Sequence, residues 1–307
     1  MTILLDPRMV TQKHADDLRE AFPDVLFVED PDAVSDVDAV FCHPGFAVPS
    51  RLERYRSLSW VQILMAGYDA ADIAYLHRRG VVVTNLKDVF HVSIAEDIFA
   101  KILLFNRGVR HDLEAMREGR WEPVRHLPEI HGSAVGIVGA GSIGSAIATR
   151  MKAFGATVIG YRRKSAPASG FDEIVHDRLG FERLLQESDY VIAALPLNER
   201  TAGLIGTGEF ALMKPDALFV NVGRGETIDQ DALFKTLRDR RIRGAALDVT
   251  TPEPLPPDHP LWRLPNVFIT PHNASSSPFI WSRIVAILHT NIRRRLDGEP
   301  LQNEIDA

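Results

Sequence analysis

Short apolar runs alternate with amphipathic stretches along the whole chain, and Asp, Pro and Gly punctuate them. In the first third, residues 3–5, 25–28, 39–42, 61–64 and 81–84 read as strands. A second series follows at residues 134–138, 157–160, 190–195, 217–222, 245–248 and 267–270. Strands separated by helix-like stretches predict a parallel sheet covered by helices on both faces, which is the α/β class.

Two long helices stand between and after these series. Ser93-Ile94-Ala95-Glu96 has capping-box spacing, so the first helix is expected to start at Ser93. Ile94, Ile98, Ile102 and Phe105 then form a stripe of helical period, with Phe99 and Leu103 beside it. For the second helix, Ser277 is expected as the cap, Pro278 as the first residue and Gly298 as the residue just past the end. Its buried face should hold Ile280, Ile284, Ile287, Leu288 and Ile292. This helix would return the chain to the first series. The expected organisation is a discontinuous outer domain, residues 1–98 and 274–307, with a nucleotide-binding domain, residues 99–273, inserted into it.

The inserted region opens with a run, Ala134-Val135-Gly136-Ile137-Val138, that leads into Gly139-Ala140-Gly141-Ser142-Ile143-Gly144 and a helical stretch at 145–154. Strand, G-x-G-x-x-G and helix in that order form a dinucleotide fingerprint, whereas the glycines alone would be a βα turn without a ligand. Gly139 would permit the tight turn, Gly141 the approach of the pyrophosphate, and Gly144 close packing of helix on strand. Ser142 and Ile143, in the turn before that helix, would also meet the cofactor, and the helix N-terminus would offer its first N–H groups to the phosphates. The end of the next strand selects the cofactor. NAD-binding proteins usually carry an acid there, but here Tyr161 is followed by Arg162, Arg163 and Lys164. A carboxylate would repel a 2′-phosphate and a guanidinium can bind it, so NADP(H) is expected, with NAD possible. The alternative is a solvated basic loop.

Four later strands end in residues suited to chemistry: Leu195-Pro196-Leu197; Asn221-Val222-Gly223-Arg224-Gly225; Asp248, with Glu253 in the proline-rich loop beyond it; and Thr270-Pro271-His272-Asn273. In open α/β sheets ligands bind beyond the carboxyl ends of the strands, so all four should face one crevice. Arg224 can grip a carboxylate or polarise a keto oxygen, with Gly223 and Gly225 leaving room for substrate. His272 can protonate a developing alkoxide, and Glu253 can orient its imidazole.

Taken in order, these runs, with Leu195-Pro-Leu-Asn-Glu-Arg-Thr201, Ala246-Leu-Asp-Val249 and Glu253-Pro-Leu-Pro256, resemble the D-isomer-specific 2-hydroxyacid dehydrogenase family from about residue 134 to 272. Before residue 90 the likeness is looser, clearest at Ala66-Gly67-Tyr68-Asp69. The resemblance implies a Rossmann domain inserted into a smaller flavodoxin-like α/β substrate domain. It implies Arg224, Glu253 and His272 as the catalytic trio and a homodimer whose arm lies between residues 105 and 131, Trp121 included. It also implies that Ala66 and Gly67 bind the substrate carboxylate, that Asp248 meets the nicotinamide carboxamide, and that Ser275 lines the substrate pocket. Leu195, Pro196 and Val222 would wall the cofactor. Ile94 would pack near the nicotinamide or simply in the core. Phe90-His91-Val92 before Ser93, and Thr250-Thr251-Pro252 after Asp248-Val249, depart from the family pattern. The missing acid after the second strand and the short chain point to the glyoxylate/hydroxypyruvate reductase branch.

Composition narrows this reading. With 35 basic and 41 acidic residues and a formal net charge of -6, the chain lacks the basic excess that nucleic-acid binding needs. The single cysteine, Cys42, cannot form an internal disulfide, and neither a signal-like segment nor a long apolar run is seen, so a cytoplasmic location is expected and no membrane contact. No metal is expected. Two alternatives remain: an NAD-dependent member of other substrate range, and a non-catalytic nucleotide-sensing protein of the corepressor type.

Overall fold

The computed structural model describes residues 1–163 and 168–306; Lys164, expected at the cofactor phosphate, lies outside them. The elements in chain order are β1 (Thr2–Leu5), α1 (Gln12–Ala21), β2 (Leu26–Val28), β3 (Ala39–Cys42), α2 (Pro49–Leu52), β4 (Trp60–Ile63), α3 (Ile73–Arg78), β5 (Val82–Thr84), α4 (His91–Asn106), α5 (Val109–Arg117), β6 (Ala134–Val138), α6 (Ser142–Ala153), β7 (Thr157–Tyr161), β8 (Glu173–Val175), α7 (Arg178–Glu187), β9 (Tyr190–Ala193), α8 (Thr207–Leu212), β10 (Leu218–Asn221), α9 (Gln230–Arg238), β11 (Gly244–Leu247), β12 (Val267–Ile269) and α10 (Ile280–Asp297). They form two compact units: Met1–Val89 with Ser277–Ala307, and Phe90–Ser276.

The first unit holds a five-stranded sheet in the order β2-β1-β3-β4-β5, all parallel. This is the flavodoxin-like order. The second holds seven parallel strands in the order β12-β11-β10-β9-β6-β7-β8, the doubly wound dinucleotide order with one added strand. Its central strands are apolar on both sides because both sides are covered. Val191, Ala193 and Phe219 pack with Phe181, Leu184 and Leu233 on one face. Ile192, Leu218 and Val220 pack with Ile98, Ile102, Ile147 and Met151 on the other. Alternate residues of one strand thus enter two cores, and the period-2 signal that marks a half-exposed strand disappears.

Several boundaries differ from the sequence expectation. α4 starts at His91 behind Phe90, not at Ser93. Ser93 Oγ donates to the carbonyls of Phe90 and Ser275 at 3.1 and 3.0 Å, so it tethers a distant loop rather than capping an N–H. α10 begins at Ile280; Ser277 instead closes a short turn, its Oγ accepting from Phe279 N at 3.2 Å. The far end follows expectation, with Gly298 left-handed at φ +72°. On the buried face of α10, Ile280 and Ile287 are only half-buried, whereas Asn291 is fully buried. Its amide donates to Gln62 Oε1 and Gln302 O and accepts from Gln302 N, which satisfies a polar group inside the core. α6 begins at Ser142, so Gly144 lies within its first turn rather than before it. β8 was not foreseen; three residues carry too little periodicity. The stretch from 105 to 131 holds the end of α4, then α5 and an irregular segment in which Trp121 is 97% exposed.

Candidate active site

All the sequence-selected strand ends of the second unit fall on one edge of its sheet, because every strand there is parallel. The glycine turn after β6 is built as its pattern requires. Gly139 has φ +116°, and a Cβ there would sit 2.5 Å from the Ala194 carbonyl oxygen. A Cβ on Gly144 would sit 2.2 Å from the Gly139 carbonyl oxygen, so only glycine lets α6 pack this close to the turn. A Cβ on Gly141 would meet nothing within 4 Å. Of the three glycines, the one with open space beside it is thus the one that precedes the amides of Ser142 and Ile143 at the start of α6.

Beside this turn lies a cavity of about 280 Å³, lined by Gly139, Gly141, Arg162, Arg163, Leu195 and Pro196, among others. Its size and its amide-bearing turn fit the adenosine half of a dinucleotide. Val222, expected in the same wall, is buried at the end of β10. A further cation, Arg200, also lines the cavity and was not selected from the sequence. Its signal was present: a basic residue in the loop after the strand neighbouring β6.

His272 and Glu253 form the site's central pair. The imidazole Nδ1 and the Glu253 Oε2 lie 2.8 Å apart, with both side chains partly exposed. Glu253 is held from behind by the Thr250 N–H, which donates to its other oxygen at 3.1 Å. His272 takes a positive φ of 49°, and its N–H donates to the carbonyls of Asp248 and Thr270. With Nδ1 engaged by the carboxylate, Nε2 is the nitrogen left to exchange a proton with substrate. A second cavity, about 340 Å³, is lined by Asp248, Thr250, Glu253, Trp262, Thr270 and His272.

Arg224 sits on a loop packed against the loop that leads to Glu253, and its Nη1 donates to the Gly223 carbonyl at 2.8 Å. A Cβ on Gly225 would lie 2.1 Å from the Thr250 carbonyl oxygen and 2.5 Å from Thr251 Oγ1. One on Gly223 would lie 2.5 Å from the Leu195 carbonyl oxygen. The flanking glycines were expected to leave room for substrate. The space is instead filled by the chain itself: the glycines let the Arg224 loop pack directly on the loops after β9 and β11. The Arg224 carbonyl accepts from Thr227 Oγ1 at 2.6 Å and Asn221 Nδ2 at 3.1 Å, which pins that loop.

Asp248 is more embedded than its motif implied. Its side chain is 3% exposed. Oδ1 accepts from Lys101 Nζ at 3.2 Å, Thr270 Oγ1 at 2.5 Å and Asn273 N at 3.2 Å, while Oδ2 accepts from Ala274 N at 3.1 Å. The carboxylate thus organises the segment that carries His272. Lys101, 2% exposed on α4, also pairs with Asp97. Burial raises the Asp97 carboxyl above the ordinary carboxylate range, although Lys101 pulls the other way. The sequence signal for this cluster was a cation on the apolar face of α4, four residues after an acid.

Ser275 lies in the same unit, its carbonyl bound by Ser93. Ala66 and Gly67 belong to the other unit, just beyond β4, where Asn85 Nδ2 donates to the Ala66 carbonyl at 2.7 Å.

A doubly wound sheet with this turn defines a dinucleotide-binding protein of the Rossmann class. Comparison with known proteins is more specific. The family model described as "D-isomer specific 2-hydroxyacid dehydrogenase, NAD binding domain" matches residues 99–274. A glyoxylate reductase of Korarchaeum cryptofilum is 38% identical over 239 residues, covering 76% of this chain and 71% of that protein. A glyoxylate/hydroxypyruvate reductase B of Pectobacterium carotovorum is 30% identical over 311 residues, with 95% of each chain covered. Among solved structures, an acyclic imino acid reductase in complex with NADPH and D-Arg superimposes with a TM-score of 0.86 at 26% identity, covering 100% of both chains. The chain belongs to the D-isomer specific 2-hydroxyacid dehydrogenase family.

Proposed function

We propose that this chain is a reductase of small 2-oxo acids of the glyoxylate and hydroxypyruvate kind, which uses NADPH and yields the D-2-hydroxy acid. The observation that carries the proposal is the 2.8 Å His272–Glu253 pair on the same sheet edge as the glycine turn. The relatives named as glyoxylate and glyoxylate/hydroxypyruvate reductases support the substrate class. Arg162 and Arg163 at the end of β7, and the likeness to an enzyme bound to NADPH, support the cofactor.

NADPH, when bound, supplies the hydride. Gly139, Gly141 and Gly144, with the amides of Ser142 and Ile143, hold the pyrophosphate. Leu195, Pro196 and Val222 wall the cofactor site. Asp248 Oδ2, with a single internal donor, keeps a lone pair for the carboxamide N–H. Arg224 grips the substrate carboxylate and polarises the keto oxygen without losing its own proton. His272 delivers a proton to the oxygen as negative charge develops there, and Glu253 holds the imidazole in the tautomer and orientation that this requires. The amides of Ala66 and Gly67 bind the substrate carboxylate, and Ser275 lines the substrate pocket. The functional form is a cytoplasmic homodimer.

Replacing His272 by Ala is expected to lower kcat with NADPH and glyoxylate or hydroxypyruvate by about 100- to 10,000-fold while the melting temperature stays put, because the proton donor is lost. Unchanged turnover would remove His272 from the chemistry. A second reading, reduction of a carbon–nitrogen double bond, is favoured by the likeness to the imino acid reductase. Turnover of 2-oxo acids only when an amine is present to form the imine would select it.

A further inference from the structure

Three guanidiniums line the cavity beside the glycine turn, and only two of them come from the strand end that selects the cofactor. Arg162 and Arg163 follow β7, whereas Arg200 comes from the loop after β9. β7 and β9 are the two strands that flank β6, so the charges enter from both sides of the Gly139–Gly141 turn. No carboxylate lines this cavity among the described residues, even though Glu199 is the immediate neighbour of Arg200.

The Arg200 loop is tied into a fixed turn. Thr201 Oγ1 donates to the Pro196 carbonyl at 2.6 Å and accepts the Asn198 N–H at 2.9 Å. Asn198 Oδ1 in turn accepts the Arg200 N–H at 3.0 Å. The side chain of Arg200 is exposed, but the backbone it leaves from is held at three points. Its position is therefore set by the fold, and its guanidinium is available to a ligand in the cavity.

We propose that Arg200 is a specificity-determining residue, the partner that meets the adenosine 2′-phosphate from the β9 side while Arg162 and Arg163 meet it from the β7 side. The inference rests on the NADPH reading above and extends it. A dianionic phosphate answers cations arriving from two directions with several charge-assisted bonds. A ribose bearing only a 2′-hydroxyl offers the same cations no charge to bind. The arrangement thus favours NADPH over NADH.

Adenosine 2′,5′-bisphosphate and 5′-AMP, which differ by the 2′-phosphate, separate the possibilities in calorimetric titrations of the full chain. Arg200→Ala is expected to weaken the bisphosphate about 10-fold and leave 5′-AMP unchanged, with Arg200→Lys retaining part of the affinity. Equal weakening of both ligands would mean that Arg200 packs on the adenine and would overturn the proposal. No effect of Arg200→Ala, where Arg162→Ala weakens the bisphosphate, would overturn it while leaving the NADPH reading intact. Wild-type protein that binds the two ligands equally would overturn the NADPH reading and this inference with it.

Discussion

β1 and β6 occupy matching places, each between neighbours that wind away in opposite directions, β2 and β3 in one sheet, β7 and β9 in the other. The turns after them hold different things. After β6 the chain passes through Gly139-Ala140-Gly141 directly into α6, and the glycine that faces outward leaves the amides uncovered. After β1 the helix is delayed to Gln12, and the turn is filled by the carboxylate of Asp6. Asp6 accepts from the Arg8 N–H at 3.1 Å, from its guanidinium at 2.9 and 2.7 Å, and from the His43 N–H at 3.3 Å. Burial pushes its pKa up, but the bonds from Arg8 and His43 outweigh that and leave it below the ordinary aspartate value. A topological switch point is therefore a place where an anion can be bound, and whether a ligand binds there depends on whether the chain has already supplied the anion itself.

The contrast extends below the surface, and the largest expected effect tests it there. The edge of the second sheet rests on the Asp97–Lys101–Asp248 cluster, in which Lys101 and Asp248 are buried and Asp97 is half-buried; among the described residues Asp6 is met by no lysine. Lys101→Met should cost about 3 to 5 kcal/mol in chemical denaturation at neutral pH, because it strands carboxylates away from water. The deficit should narrow on acidification, since the Asp97 carboxyl, whose folded pKa is raised by burial, takes up a proton more readily in the folded state. A constant deficit from pH 7 to pH 4 would show that Lys101 acts through packing alone. Gly144→Ala comes next. With Cβ forced to 2.2 Å from the Gly139 carbonyl oxygen, the helix must move, at about 1 to 3 kcal/mol, and 5′-AMP binding should be lost. Undiminished binding would show that the turn does not depend on this close approach. The smallest effect is expected in the other sheet. Asp6→Asn should cost about 1 kcal/mol and leave nucleotide binding untouched. Because the folded pKa of Asp6 is lowered, its contribution is complete above the unfolded aspartate pKa and is lost as pH falls through the folded one. Wild type and variant should therefore converge in stability in acid. Nucleotide binding that changes with Asp6→Asn would break the comparison.

The strand series, the glycine turn and the strand-end polar residues could be read from the chain because each is a local pattern. Gly139, Gly141 and Gly144 hold the positions their spacing implied, and His272 meets Glu253. Helix starts were less legible. Ser93 has the residue type and spacing of a cap, yet its hydroxyl is drawn to the Ser275 carbonyl, a partner 182 residues away. Ser277 fails for a related reason, since the turn it closes at Phe279 delays α10. Gly223 and Gly225 were read correctly as necessary but for the wrong reason, because what fills the space beside them comes from Leu195 and Thr250. Lys101 and Asp97, four residues apart, left a trace on α4, but the pairing with Asp248 came only with the fold.

The order of strands and helices and the form of the glycine turn follow from the sequence, since hydrophobic periodicity and glycine's backbone freedom act over a few neighbouring residues. Tertiary structure alone decides which of the polar groups is consumed internally. Asp6 and Asp248 are both carboxylates at the carboxyl end of a strand; Asp6 is met chiefly by Arg8, two residues on, whereas Asp248 is met by Lys101, 147 residues away, and by Thr270, and only the fold brings those donors to it. Hydrogen bonds and burial join residues that the fold brings together, and no local pattern contains that information.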